Sequence, residues 1–326
     1  MLDNMGPALC LLSAACFGAM AIFGKLAYAA AVSPEALLLV RFGLAAVLLS
    51  MLLLLRPGLR RHLASPGRVS SSTRRAPRLL MLALGLGVFG YATQASLYFS
   101  ALELMDASLL SLIFYTCPVL VTLTAAVMGR DRLTLGRCAA LAGACCGTLL
   151  VFAGTGGVHF HPLGAILAFG SAVTYTSYIL VSDTVVHQLP PVMLSALVMA
   201  GATLTLTARA AVTGGVDLSF GLRGWFWLAC IAIVSTVLAM LTFFAGLRRT
   251  GPSTAAILST FEPVVTMVLA ALTLGEFLTP LQVAGGVLVL SSVAVMQIRR
   301  TGRGAGSRQV RDPVEFDGPK QTVAGG

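Results

Sequence analysis

The sequence predicts an all-α integral membrane protein: ten transmembrane helices arranged as two inverted-topology five-helix repeats. Three observations carry that expectation. The composition is too apolar for a chain that meets only water. The apolar residues gather into ten runs long enough to cross a bilayer. The second half of the chain repeats features of the first at a fixed offset.

Of 326 residues, 57% are hydrophobic and only 10% are charged. A soluble domain carries about 25% charged residues, so lipid must serve as part of this chain's solvent. The formal net charge of +10 could suggest nucleic acid, but the arginines cluster between and after apolar runs rather than along helix faces interleaved with aromatics. No nucleic-acid partner is expected. The seven cysteines all lie inside apolar runs, without a C-x-x-C, and read as small packing residues. The first run is long enough to span and has no basic stretch ahead of it, so it reads as a helix of the mature protein rather than a cleaved leader.

A spanning helix needs about 20 mostly apolar residues. Ten runs qualify: 6–28, 34–55, 79–100, 106–128, 136–154, 163–183, 191–211, 224–247, 253–274 and 280–298. Pro7, Pro34, Pro162 and Pro280 fall at or near helix starts, where a missing N–H costs little. Residues 299–326 are Gly-rich and charged and read as a disordered cytoplasmic tail.

With the N-terminus in the cytoplasm and ten helices, nearly every basic residue outside the helices lies inside. Arg56 to Arg78, Arg130 to Arg137, Arg248 and Arg249, and the tail are cytoplasmic, whereas the outside loops keep only Arg209 and Arg223. That positive-inside bias places both termini in the cytoplasm. The abundance of Arg over Lys, with much Ala and Gly, fits a GC-rich bacterial genome and a multi-pass protein of the inner (plasma) membrane.

Sliding the chain by 145 residues aligns Ser108, Pro118, Val119, Leu133 and Thr134 with Ser253, Pro263, Val264, Leu278 and Thr279, and Asp131 with Glu276. Five helices per repeat is an odd number, so the second copy is inverted. The organisation expected is a first repeat over 1–155, a second over 156–298, and the tail. Inverted repeats rocking against each other can expose one central site to either side, a common build for secondary transporters.

The run Phe261-Glu262-Pro263-Val264-Val265, then Leu274-Gly275-Glu276-Phe277-Leu278-Thr279-Pro280 and Gly285-Gly286, resembles the second EamA repeat of the drug/metabolite transporter superfamily. Phe17-Gly18 with Lys25, and Arg41-Phe42, are similar to the first- and second-helix motifs of the same family, with Phe in place of its Trp. The resemblance covers about residues 8–298. It implies alternating access at a midplane cavity formed mainly by the first, third, fourth, sixth, eighth and ninth helices. It also implies a small substrate, often carried outward, drawn from amino acids, sugars, nucleotide-sugars, amines and drugs.

Ionisable groups inside a bilayer are costly and usually have a reason to be there. Three qualify: Lys25, Arg41 and Glu262. Glu262 reads as a substrate or proton site, or as a structural carboxylate satisfied by Arg41 or by neighbouring hydroxyls. Arg41 reads as a substrate contact, a structural ion-pair partner or a snorkelling side chain. Lys25 stays open between snorkelling and substrate contact. Polar stripes at helical spacing join them: Tyr91, Gln94 and Tyr98; Ser111, Tyr115, Pro118 and Thr122; Ser171, Tyr175, Tyr178 and Ser182; Ser259, Glu262 and Thr266. Such faces are unfavourable against lipid and should point inward, either lining an aromatic cavity or bonding helix to helix. The substrate-contacting set expected is therefore Glu262, Gln94, Tyr91, Tyr98, Tyr115, Tyr175, Tyr178 and Arg41.

Gly143 and Gly147, with Ala14 and Gly18, give small-residue spacing for close packing within the chain, or for a homodimer contact. Gly85-x-Gly87-x-x-Gly90 matches a dinucleotide fingerprint in letters but follows no strand. His159 and His161 have no ligand partners beside them. No catalytic constellation, metal site, cofactor or Walker loop is expected, and transport would run on the substrate gradient or coupled ions. The partners expected are a small-molecule substrate and membrane lipid. The rival readings are a non-transporting membrane scaffold or regulatory subunit, and an intramembrane enzyme.

Overall fold

The computed structural model describes residues 5–56, 75–128, 161–186, 189–250, 258–259 and 261–292, together with eight positions between 139 and 153. Every regular element among the described residues is helical. In chain order they are α1 (Met5–Tyr28), α2 (Pro34–Leu55), and α3, which runs through Arg75–Gly85, Leu86–Tyr91 and Ala92–Leu104. Next comes α4, in two pieces, Ala107–Phe114 and Cys117–Val127. The helical positions between 139 and 153 are α5. Then follow α6 (Pro162–Val186), α7 (Pro191–Val212) and α8, which runs through Leu222–Ala232, Ile233–Leu238 and Ala239–Thr250. The last two are α9 (Phe261–Leu274) and α10 (Pro280–Ser292).

Six of these helices are long and apolar enough to cross a membrane. Their surfaces are inverted relative to a soluble protein. Leu54, Phe89, Ile166, Leu204, Phe226 and Leu272 are exposed, while Arg41, Gln94, Ser171, Thr236 and Thr266 are buried. A lipid-facing exterior with polar groups turned inward is what a bilayer demands. The proline expectations hold: Pro34, Pro162 and Pro280 open α2, α6 and α10, and Pro7 is the third residue of α1. Ser33 caps α2 by accepting from the Ala36 N–H at 3.2 Å.

Two expectations are corrected. The helix expected unbroken over 106–128 is interrupted at Tyr115 and Thr116. Pro118 has no N–H to give the carbonyl four residues back, so the ladder cannot continue. Thr116 instead tightens the turn, donating both its N–H and its hydroxyl to the Ile113 carbonyl. The third and eighth helices, expected as plain α-helices, each contain six residues wound as a π-helix, Leu86–Tyr91 and Ile233–Leu238. The start of the ninth helix at 253, most of the fifth and the 299–326 tail lie outside the described residues.

Small residues let the helices meet closely. α1 packs along α8 and α9, and α6 packs along α3 and α4; α2 lies on α7, which also meets α3. A Cβ on Gly18 would come within 2.7 Å of the Glu262 carbonyl. Gly87 lets α3 run against the Val198 backbone of α7, so the rejected dinucleotide fingerprint marks helix packing. Gly147 sits against Gly285 and Val289 of α10, and Gly143 against Ser292. Gly18, Gly143 and Gly147 are therefore used between helices of one chain.

Candidate functional site

Seven aromatics form a chain of rings between α2, α3, α4 and α6. Phe42 meets Tyr91 at 5.4 Å between centroids, and Tyr91 meets Tyr178 at 5.5 Å. Tyr178 stacks on Tyr175 at 5.7 Å with the planes 13° apart, and Tyr175 meets Phe114 at 5.4 Å. Phe114 stands edge-on to Tyr98 at 5.2 Å, and Tyr98 to Phe99 at 5.4 Å. Arg41 closes the belt, its guanidinium carbon 5.4 Å from the Phe99 ring centre and 5.0 Å from that of Phe42.

Arg41 is almost wholly buried, at 2% exposure. Its Nε donates to the Thr236 hydroxyl at 3.0 Å. Thr236 sits in the π-wound part of α8 and donates in turn to the Ile231 carbonyl, five residues back. The guanidinium also lies within electrostatic reach of Tyr91 and Tyr98. Its charge is thus held by the Thr236 and Tyr91 hydroxyls and two ring faces, a placement that suits a planar guanidinium. Among the described residues no carboxylate pairs with it.

Glu262 lies in the first turn of α9. Its backbone is fixed from below: Thr266 Oγ1 donates to the Gly18 carbonyl at 2.9 Å and to the Glu262 carbonyl at 3.1 Å. Its carboxylate acts electrostatically on Tyr98, Tyr115 and Tyr175. The residue is partly buried, and among the described residues no positive side chain acts on it. Tyr115, Tyr175 and Tyr178 are likewise partly buried. The Glu262 carboxylate makes no hydrogen bond and no ion pair with any described residue.

The sequence-predicted residues divide into three groups. Tyr91, Tyr98, Tyr175 and Tyr178 lie in the belt, with Glu262 and Tyr115 beside it. From the break in α4, the Tyr115 hydroxyl also donates to the carbonyl of Ser259, just ahead of α9, at 2.9 Å. Arg41 closes the belt but does not pair with Glu262. Gln94 turns away into a reciprocal link, donating from Nε2 to Ser171 Oγ at 3.1 Å while Ser171 donates to the Gln94 carbonyl at 3.0 Å. Lys25 sits elsewhere, at the far end of α1, within reach of Glu276, Asp106 and Glu103. Sequence reasoning missed Phe42, Phe99 and Phe114 as ring members, because they stand among other apolar residues with no polar spacing to mark them. It also missed Thr236, whose partner lies 195 positions away.

A second contact joins the halves near Lys25. Gly275, at φ +67°, turns the chain after α9. Glu276 then reaches the start of α4: Oε1 accepts from the Ala107 N–H at 3.1 Å, and Oε2 from the Ser108 N–H and hydroxyl, both at 3.0 Å. A carboxylate at a helix N-terminus meets unpaired N–H groups and the positive end of the helix dipole.

Comparison with known proteins agrees with this architecture. The model of the EamA-like transporter family matches residues 4–153 and 162–298. The chain is 27% identical over 303 residues to the uncharacterized transporter YcbK of Bacillus subtilis, covering 90% of this chain and 93% of that one. It is 28% identical over 256 residues to a protein of Salmonella typhimurium named "Probable amino-acid metabolite efflux pump", covering 71% and 82%. A solved crystal structure shares the fold, with a TM-score of 0.62 over 92% of this chain and 99% of that one, at 19% identity. The protein is thus a transmembrane transporter and not an enzyme, and the chain belongs to the EamA-like transporter family.

Proposed function

We propose that the protein is a secondary exporter of a small metabolite, working by alternating access in the plasma membrane with both termini in the cytoplasm. The substrate sits in the space bordered by Glu262, Tyr115, Tyr175 and Tyr178, with the ring belt as its wall. The observation that carries this is the Glu262 carboxylate, partly buried among the helices and unpaired among the described residues. A structural carboxylate in low dielectric would be bonded, because leaving it unpaired is costly. Export follows from the efflux activity in the name of the Salmonella typhimurium relative. Cytoplasmic termini follow from the distribution of basic residues.

Two five-helix repeats of inverted topology, 1–155 and 156–298, supply the moving parts in this reading. Exchanging each helix for the one five places later converts α1 on α8 into α6 on α3, and α1 on α9 into α6 on α4. It leaves α2 on α7 and α5 on α10 as they are. These six neighbour pairs are consistent with that exchange. The π-wound stretches fall on α3 and α8, which the exchange pairs. The prolines also agree, Pro118 being second in its helical piece and Pro263 third.

The test is two-sided labelling of Glu262→Cys in a chain whose seven native cysteines are replaced. A membrane-impermeant thiol reagent should reach the new cysteine from either face of sealed vesicles. Reaction from one face only, or from neither, would overturn alternating access at this site.

A further inference from the structure

We propose that the site recognises an organic cation, an alkylammonium or arylalkylammonium group, with Glu262 as counter-ion and Tyr115, Tyr175 and Tyr178 as the surrounding ring surface. The inference deepens the function proposed above and rests on its placement of the substrate at Glu262.

The first argument is charge balance. A carboxylate withdrawn from bulk water needs a positive partner or several donors. Among the described residues Glu262 has neither, and no Lys or Arg acts on it. The cation next to the belt is already committed: Arg41 has Nε on Thr236 and its guanidinium over Phe42 and Phe99, with 2% exposure. When ionised, Glu262 offers an occupant a negative charge that no described cation balances. A carboxylate or phosphate ligand would meet repulsion from Glu262 without compensation from Arg41.

The second argument is the wall. Ring faces carry negative potential and attract cations, more strongly when the site is desolvated. Tyr175 and Tyr178 present two nearly parallel rings 5.7 Å apart, and Phe114 continues the surface. Rings of this kind accept an ammonium carried on an apolar body. A sugar would need many directed hydrogen bonds, but Gln94 and Ser171 are bonded to each other and Tyr115 already donates to Ser259.

The experiment uses the full-length protein in lipid nanodiscs and three probes that share one ring: 2-phenylethylamine, phenylalanine and 3-phenylpropionate. They are a cation, a zwitterion and an anion at neutral pH. Binding is read by calorimetry and by the shift in melting temperature. The amine should bind at least about tenfold more tightly than either carboxylated probe. Glu262→Gln should erase that preference, Glu262→Asp should keep part of it, and Tyr175→Leu should weaken the amine by roughly fivefold. Equal or tighter binding of the zwitterion or the anion would overturn the proposal. So would an amine affinity unchanged in Glu262→Gln, or no saturable amine binding up to roughly 10 mM. If Glu262→Gln does not survive purification, the ranking of the three probes on the unaltered protein decides. Two-sided labelling at position 262 without amine binding would sink the cation reading alone. Failure of the labelling would sink the transport site itself.

Discussion

Replacing Glu276 should loosen the contact that one half of the molecule makes with the other, and the structure sets the size of the effect. The carboxylate accepts three hydrogen bonds, one on Oε1 and two on Oε2. Hydrogen bonds to a charged group are worth about 1.5–3 kcal/mol each, less where water can take over. Glu276 is half-buried, so the lower end applies. Glu276→Gln can keep its remaining oxygen on Ser108, but its NH2 then faces the Ala107 N–H, donor against donor. The expected loss is about 1–2 kcal/mol, including the interaction with the helix dipole. Glu276→Ala removes all three bonds and should cost about 2–4 kcal/mol. Thermal unfolding in nanodiscs is the assay, and the alanine variant should melt roughly 5 °C or more below the unaltered protein. Ser108→Ala combined with Glu276→Ala should cost less than the sum of the two, since they share a bond. A Glu276→Ala protein melting within about 1 °C of the original, or strict additivity with Ser108→Ala, would refute this account of the contact.

Three further outcomes can be checked. Gly18→Ala should cost about 1–3 kcal/mol, read as a lower melting temperature, because its new carbon would stand 2.7 Å from the Glu262 carbonyl. Arg41→Lys keeps the charge but has no Nε for Thr236 and no plane to lay on Phe42 and Phe99. It should destabilise by about 1–3 kcal/mol, and near-native melting would deny Arg41 its place in the belt. A reporter active only in the cytoplasm should work when fused at the C-terminus and stay silent when inserted between 212 and 222. The opposite pattern would reverse the orientation.

Helix positions were largely legible, because a bilayer imposes one length and one polarity on every crossing segment. α2 runs over 34–55 as expected, since Ser33 and Pro34 mark its start unambiguously. The inward faces were legible too: four of the spaced tyrosines, 91, 98, 175 and 178, meet in one ring system. Three features were not. The π-wound stretches contain no proline; the first carries Gly87, where α3 meets α7, and the second carries Thr236, which meets Arg41. The purpose of Arg41 could not be read, because nothing in the order of residues chooses between Glu262 and Thr236 as its partner. Gln94 shows the limit of stripe reasoning. Its face was found, but only the distance to Ser171 reveals that the amide is spent on holding α3 to α6. The break after Phe114 was available in principle, since Pro118 removes the N–H that would bond it.

The dependence of α1 on the far half of the chain has a consequence for biosynthesis. Its Ser13 hydroxyl donates to the Ala239 carbonyl, 226 residues later. At about 5–20 residues per second, a ribosome needs roughly 10–45 s to supply that carbonyl. Through that interval α1 lies in the bilayer without its principal neighbours, with small residues and a hydroxyl turned toward lipid or toward whatever assists insertion. The first five helices made alone should therefore enter the membrane yet remain open to proteolysis. Supplying the remaining five as a separate chain should restore resistance, with no peptide bond needed between them.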